Sequence, residues 1–178
     1  MVWGMPRAMA PVFRPSARCL VLDRDGRILL FRSNTDATDD AASRAWFTPG
    51  GGLRHGETQA QAASRELAEE TGLRLQPREL GSVVAVSAGL WRAGQRQMFG
   101  ADSFFLVRAV GLSVSSDGRE EQERQALATH RWWSLSDLDA TTEQVFPVGL
   151  ASVLRQILTG GLPDRPVRLP WRDNAGQH

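Results

Sequence analysis

The chain of 178 residues has one cysteine, no lysine and no tyrosine. A lone thiol, Cys19, cannot close an internal disulfide. That excludes a disulfide-stapled secreted scaffold and fits a reducing compartment, so a cytoplasmic location is the expectation. With no lysine, all 21 basic side chains are arginines, and contact with a phosphate must come from guanidinium forks, backbone amides or a metal. No apolar run approaches the roughly 18 residues that span a bilayer, and the opening MVWGMPRAMAPVF lacks the apolar stretch of a signal peptide, so no membrane association is expected. Charge of one sign is also missing. Twenty acids against 21 bases leave a net charge of +1, which excludes a broad basic field and with it an extended nucleic-acid surface. Any anion binding is therefore local, and the expected partner is a small molecule.

What is present reads as one α+β domain. Residues 17–22 and 27–31 are apolar runs separated by Asp23-Arg24-Asp25-Gly26, a tight-turn signal, and predict a hairpin. Residues 33–44 are polar without apolar period and predict a loop bordering a site. Trp46-Phe47-Thr48 predicts a short strand. Residues 80–90 and 97–110, rich in Val, Phe and Leu and joined through Arg92-Ala93-Gly94, predict an antiparallel pair. A further strand is expected over 130–135, a helical turn from Ser136, and a helix over 148–158 that Gly160-Gly161 stops. Hairpin links and helices on both sides imply a mixed β-sheet with helices on its faces. The domain is expected to span 15–161, with tails at 1–14 and 162–178.

The most informative stretch is GGLRHGETQAQAASRELAEETGL, from Gly51 to Leu73. Thr58 with Gln61 forms a capping-box pattern, and Gly72 marks the helix end. Within that helix Glu66, Glu69 and Glu70 fall at spacings of three and four, which puts three carboxylates on one face. Each like-charge pair costs an isolated helix roughly 0.2–0.5 kcal/mol, so the cluster makes sense against a cation. Ala60, Ala63 and Leu67 form the adjoining stripe that packs on a sheet. The preceding Pro49-Gly50-Gly51-Gly52 lets backbone groups approach a metal or phosphate without side-chain obstruction.

This segment resembles the signature box of the Nudix hydrolases: a glycine, five residues, a glutamate, seven residues, then Arg-Glu-aliphatic-x-Glu-Glu-x-Gly-aliphatic. Gly51, Glu57, Arg65, Glu66, Leu67, Glu69, Glu70, Gly72 and Leu73 meet every fixed position. The resemblance implies an α/β/α sandwich and a MutT-like nucleoside diphosphate-X pyrophosphohydrolase that attacks phosphorus with water. It implies Mg²⁺, with Mn²⁺ as an alternative, held by Glu66 and Glu70 with Glu69, Glu57 and the Gly50 backbone around them. Glu69, Glu70 and Arg65 are the expected catalytic group, Arg65 by orienting Glu69, while which glutamate acts as base stays open. Monomer and homodimer stay open too.

Substrate recognition is expected from Arg44, Trp46 and Arg96 by stacking and guanidinium forks. Asp102 and the run Glu120, Glu121 and Glu123 are further carboxylates for the base or an extra ligand. His55, Trp91, Phe99 and Trp132 read more simply as loop or core. An ADP-ribose or sugar-nucleotide pyrophosphatase is the alternative enzyme, although relatives of that kind often carry a Pro where this chain has Ser87-Ala88-Gly89. Dinucleoside polyphosphate enzymes often carry a Tyr there. An isomerase of the same family would need a catalytic cysteine, for which Cys19 is poorly placed. A catalytically silent nucleotide sensor is the alternative of another class, and the intact glutamates argue against it.

Overall fold

A computed structural model describes residues 10–32, 45–109 and 129–171. The elements run β1 (Val12–Leu22), β2 (Ile28–Arg32), β3 (Ala45–Phe47), β4 (Gly50–Gly52), α1 (Gln59–Thr71), a 3-10 turn (Pro77–Glu79), β5 (Val83–Ala93), β6 (Arg96–Arg108), β7 (Thr129–Trp133), α2 (Leu135–Ala140), β8 (Gln144–Phe146), α3 (Leu150–Gly160) and β9 (Val167–Leu169). One mixed sheet takes the strands in the order β8-β3-β2-β1-β6-β5-β9, with β4 added to β1 and β7 to β2. The β1/β6, β3/β8 and β5/β9 pairs are parallel and the rest antiparallel.

The period-two alternation of β1 divides the core. Leu20 and Leu22 face a layer closed by Leu150, Val153, Leu154 and Ile157 of α3. Ala17, Cys19 and Val21 face the layer closed by Ala62, Ala63 and Leu67 of α1. A bulge between Val83 and Ala85 lets Val83 serve the α1 layer while Val84 and Ala85 serve the other. Helices on both faces of a mixed sheet are the expected sandwich.

The hairpin forms as its turn predicts. Asp23 accepts hydrogen bonds from the amides of Asp25 and Arg27 and from the Arg27 side chain, and Gly26 takes the positive φ of 75° that the reversal needs. One expectation is corrected. Residues 162–178 read as a tail, yet Val167–Leu169 pairs parallel with Ala85–Ser87, and Leu169 is buried in the α3 layer. Three residues among prolines carry too short a pattern to announce a strand; the partner β5, distant in sequence, supplies the reason for it.

Candidate active site

Helix α1 has local causes at both ends. The Thr58 hydroxyl accepts from the Gln61 amide while the Gln61 side chain accepts from the Thr58 amide, and Gly72 leaves the helix at φ 78°. Its apolar stripe is sealed against β1, which fixes the next stripe, Glu66 and Glu70, against β4. Both carboxylates are buried, at 9% and 7% exposure. The Gly50 amide donates to Glu70 Oε2 at 2.7 Å, and a Cβ placed on Gly51 would lie 2.5 Å from Glu66 Oε1. Gly51 is thus a glycine because the Glu66 carboxylate occupies the space a side chain would need.

Burying carboxylates costs several kcal/mol unless they are paired. Arg65 supplies the counter-charge. It grips Glu57 with two parallel hydrogen bonds, Nε to Oε1 at 2.7 Å and Nη2 to Oε2 at 2.8 Å. Its Nη1 donates to Glu66 Oε1 at 2.6 Å and to Glu69 Oε2 at 3.1 Å, and its Nη2 also donates to the Gly52 carbonyl at 3.1 Å. Pairing with Arg65 pulls the Glu57 carboxyl down to about 2, and the same bonds push the Arg65 guanidinium further up. Glu69 is the most exposed of the four glutamates and also meets Arg54 at 3.4 Å. The helix spacing foresaw only the Arg65–Glu69 pair; the grip on Glu57, across the loop, is tertiary and has no signature in local spacing.

Glu57, Arg65, Glu66, Glu69, Glu70 and Gly50 therefore come together, whereas Trp46 and Arg96 do not join them. Trp46 is corrected to the core: it is 4% exposed, packs edge-on to Trp133 with centroids 5.1 Å apart, and has the Arg32 guanidinium over its ring. Arg96 sits exposed at the end of the β5–β6 hairpin, six residues along β6 from Asp102, or about 20 Å at the usual strand rise. Arg44 and the run Glu120, Glu121 and Glu123 lie outside the described residues. His55 is exposed on its loop, and Trp132 packs against the α1 layer. Cys19 is buried against α1, and burial together with the charges of Glu70 and Glu66 pushes its thiol up to about 12, which removes it as a nucleophile.

Asp102 enters a different setting, on the sheet face away from α1. The Ser16 hydroxyl donates to it, and Arg18 Nε lies 3.9 Å from its carboxylate. Arg18 and Asp102 floor an open cleft bordered by Phe47, Phe146 and Trp171. Arg18 Nη1 donates to the carbonyls of Thr48 at 3.0 Å and Gly50 at 3.4 Å. The same Gly50 bonds Glu70 through its amide, so one residue is tied both to a side chain of the cleft and to a glutamate of the box. Sequence reasoning missed Arg18, Thr48 and Trp171, which touch only through the folded sheet.

A divalent ion fits the residues at the box. The donors are all hard oxygens, and the glycines of β4 admit them at close range. Among the described residues no three Asp, Glu, His or Cys side chains form a ready-made metal cage. A couple of carboxylates completed by water and substrate phosphate is the arrangement Mg²⁺ favours. No helix among the described residues is long and apolar enough to cross a membrane.

Comparison with known proteins agrees with this geometry. The family model described as the NUDIX domain matches residues 12–152. The chain is 41% identical over 147 residues to an RNA pyrophosphohydrolase of Sphingopyxis alaskensis, covering 71% of this chain and 81% of that protein. A Brucella ovis RNA pyrophosphohydrolase is 41% identical over 63 residues, about a third of each chain. Among solved structures, a MutT NUDIX hydrolase from Burkholderia pseudomallei superposes with a TM-score of 0.59 at 20% identity, covering 82% of this chain and 98% of that one. An ADP-ribose pyrophosphatase from Streptococcus suis gives 0.54 at 16% identity over 89% and 98%, a likeness of fold alone. A box complete at every fixed position, a carboxylate-bearing α1 seated on a glycine strand, and a model match across most of the sheet lead to one conclusion: the chain belongs to the Nudix family and is a pyrophosphohydrolase.

Proposed function

We propose that the protein hydrolyses a pyrophosphate bond in a nucleotide-type diphosphate with Mg²⁺ as the working ion, by attack of water at phosphorus. The observation that carries this reading is the placement of Glu66 and Glu70, both buried against the Gly50–Gly52 strand, Glu66 bonded by Arg65 and Glu70 by the Gly50 amide. Glu66 and Glu70 would hold the ion, with Glu69, Glu57 and the Gly50 carbonyl around it. Bound there, a divalent ion supplies charge neutralisation to the phosphate oxygens and acidifies water. Glu69 and Glu70 are the groups assigned to accept the proton, and Arg65 fixes the rotamers of Glu57, Glu66 and Glu69. The cytoplasm is the proposed location, on the single unpaired cysteine.

The 5′ end of an RNA is the substrate favoured beyond this class, because the relative aligned over 81% of its length is an RNA pyrophosphohydrolase. The near-neutral net charge agrees with capture of the 5′ terminus alone. The test is a panel of nucleoside triphosphates, oxidised nucleotides, sugar nucleotides, dinucleoside polyphosphates and 5′-triphosphate RNA, assayed with Mg²⁺ for phosphate and pyrophosphate release. Mg²⁺-dependent release from at least one member is expected. Release that is equal with and without a chelator would overturn the reading.

A further inference from the structure

Exposed apolar side chains gather at one end of the sheet. Of the six large hydrophobic side chains exposed among the described residues, Val12, Phe13, Leu90 and Phe99 stand where β1 and β6 begin and β5 finishes. Phe13 and Phe99 are paired in register and their rings stack with centroids 6.1 Å apart, while Leu90 lies opposite Phe99 on the next strand. Phe13 is 59% exposed, Leu90 50% and Phe99 38%. The alternation that sends Ala17 and Phe105 into the α1 layer puts these three on the same side of the sheet, beyond Ala17, the first β1 side chain of that layer. A contiguous patch of this kind marks a contact surface, whereas scattered single side chains mark nothing.

The charge around this patch is one-sided. A net charge near zero conceals it, because the first acid of the chain is Asp23 and residues 80–101 contain none. Arg92 is exposed on β5, two residues beyond Leu90 and on the same side. At the opposite border the Leu53 amide donates to the Pro15 carbonyl, which brings the exposed loop residues Arg54 and His55 towards the start of β1. Arg54 reaches Glu69 at 3.4 Å and keeps 60% of its side chain exposed. The patch therefore starts beside the box and ends at Arg92, with aromatic rings between two guanidinium groups.

Stacking surfaces between arginines, with no acid of their own, match a single nucleic-acid strand, whose bases offer π-faces and whose phosphates offer charge. A second copy of the chain matches poorly. A two-fold contact on this face would bring its arginines together with no acid to answer them.

We propose that this face is a platform for the RNA nucleotides that directly follow the 5′-terminal one, with Phe13 and Phe99 stacking on bases and Arg92 meeting a phosphate. The inference rests on the reading that the 5′ end of an RNA lies at the box. Phe13 stands four residues before Ala17, the partner of Gly51, or about 13 Å at the usual strand rise, so the platform is short and adjoins the terminus.

The test is fluorescence anisotropy in Mg²⁺ with labelled 5′-monophosphate RNAs of one, two, four and eight nucleotides. These contain no pyrophosphate bond, so binding is read without turnover. Four nucleotides should bind at least about tenfold more tightly than one, and eight should add less than about threefold. F13A and F99A should each lose most of that gain, and F13W, which keeps a ring, should retain it. R92A should lower the salt slope for the four-nucleotide RNA by about 0.7, the value of one single-strand phosphate contact. Affinity that does not rise with length would overturn the proposal, as would an unchanged gain in folded F13A and F99A. A dimer in sedimentation velocity that F99D dissolves would also overturn it, by giving the face to a second copy. Length-dependent binding in a protein that releases nothing from 5′-triphosphate RNA would uphold the platform and remove the proposed reaction; Mg²⁺-dependent release with length-independent binding would do the reverse.

Discussion

Arg65 holds more of the site in place than any other side chain, since one guanidinium joins the loop carboxylate of Glu57 to Glu66 and Glu69 on the helix. The lowered pKa of Glu57 makes this grip pH-dependent. A carboxyl whose folded pKa is depressed stabilises the fold fully above its ordinary value of 4.5 and loses that contribution as pH falls towards about 2. Glu57→Gln should therefore be less stable than wild type at pH 7, with the gap narrowing below pH 4. Urea denaturation at several pH values checks this, and a gap that widens in acid would oppose it. Cys19 gives a second residue-level test. With its thiol held near 12 against α1, iodoacetamide should label it negligibly at pH 8 in the native protein and fully in denaturant. Rapid native labelling would mean that α1 does not seal β1.

At the scale of elements, α1 was legible because its causes are local, whereas the glycines that precede it read as a turn and pair as β4 only against β1. The Thr58–Gln61 capping pair, the alanine stripe and Gly72 each lie within a turn of what they determine, and the helix runs Gln59–Thr71 as they imply. The β1–β2 turn was legible for the same reason. Trp46 was misread because a tryptophan beside a candidate loop looks the same in sequence whether it stacks on a ligand or on Trp133; only the β2–β3 and β3–β8 pairings decide. β9, Trp171 and the Arg18–Asp102 floor were invisible for a related reason, since their partners lie 70 or more residues away. Gly89 and Gly100, which face each other beneath Trp171, were the one available signal, and they acquire meaning only once β5 and β6 are put in register. For β4 the glycine requirement is testable. Gly51→Ala places a methyl against the Glu66 carboxylate and should fold, because the neighbouring helix keeps its caps, yet weaken Mn²⁺ binding by at least about tenfold in an electron paramagnetic resonance titration. Wild-type affinity would show that the Glu66 position does not matter to the ion.

At the scale of the whole molecule, the sheet holds two layers of the site apart and joins them at one residue. α1 presents carboxylates on one side of β4, the cleft opens on the face away from α1, and Gly50 bonds into both. The last strand belongs to this arrangement. Deleting residues 165–178 removes the partner of β5, the buried Leu169 and the wall of the cleft. It should cost at least about 2 kcal/mol of stability, read by thermal and urea denaturation, from the loss of burial alone. A truncated chain as stable as wild type would make β9 an appendage. The proposed role of the α1 carboxylates in hydrolysis is open to direct test through Glu70→Gln. The amide is nearly isosteric and keeps an oxygen for the Gly50 amide, so the fold should survive while the charge is lost. Turnover of the best panel substrate at saturating Mg²⁺ should fall by at least about a hundredfold with an unchanged melting temperature; wild-type turnover in the folded variant would contradict the account.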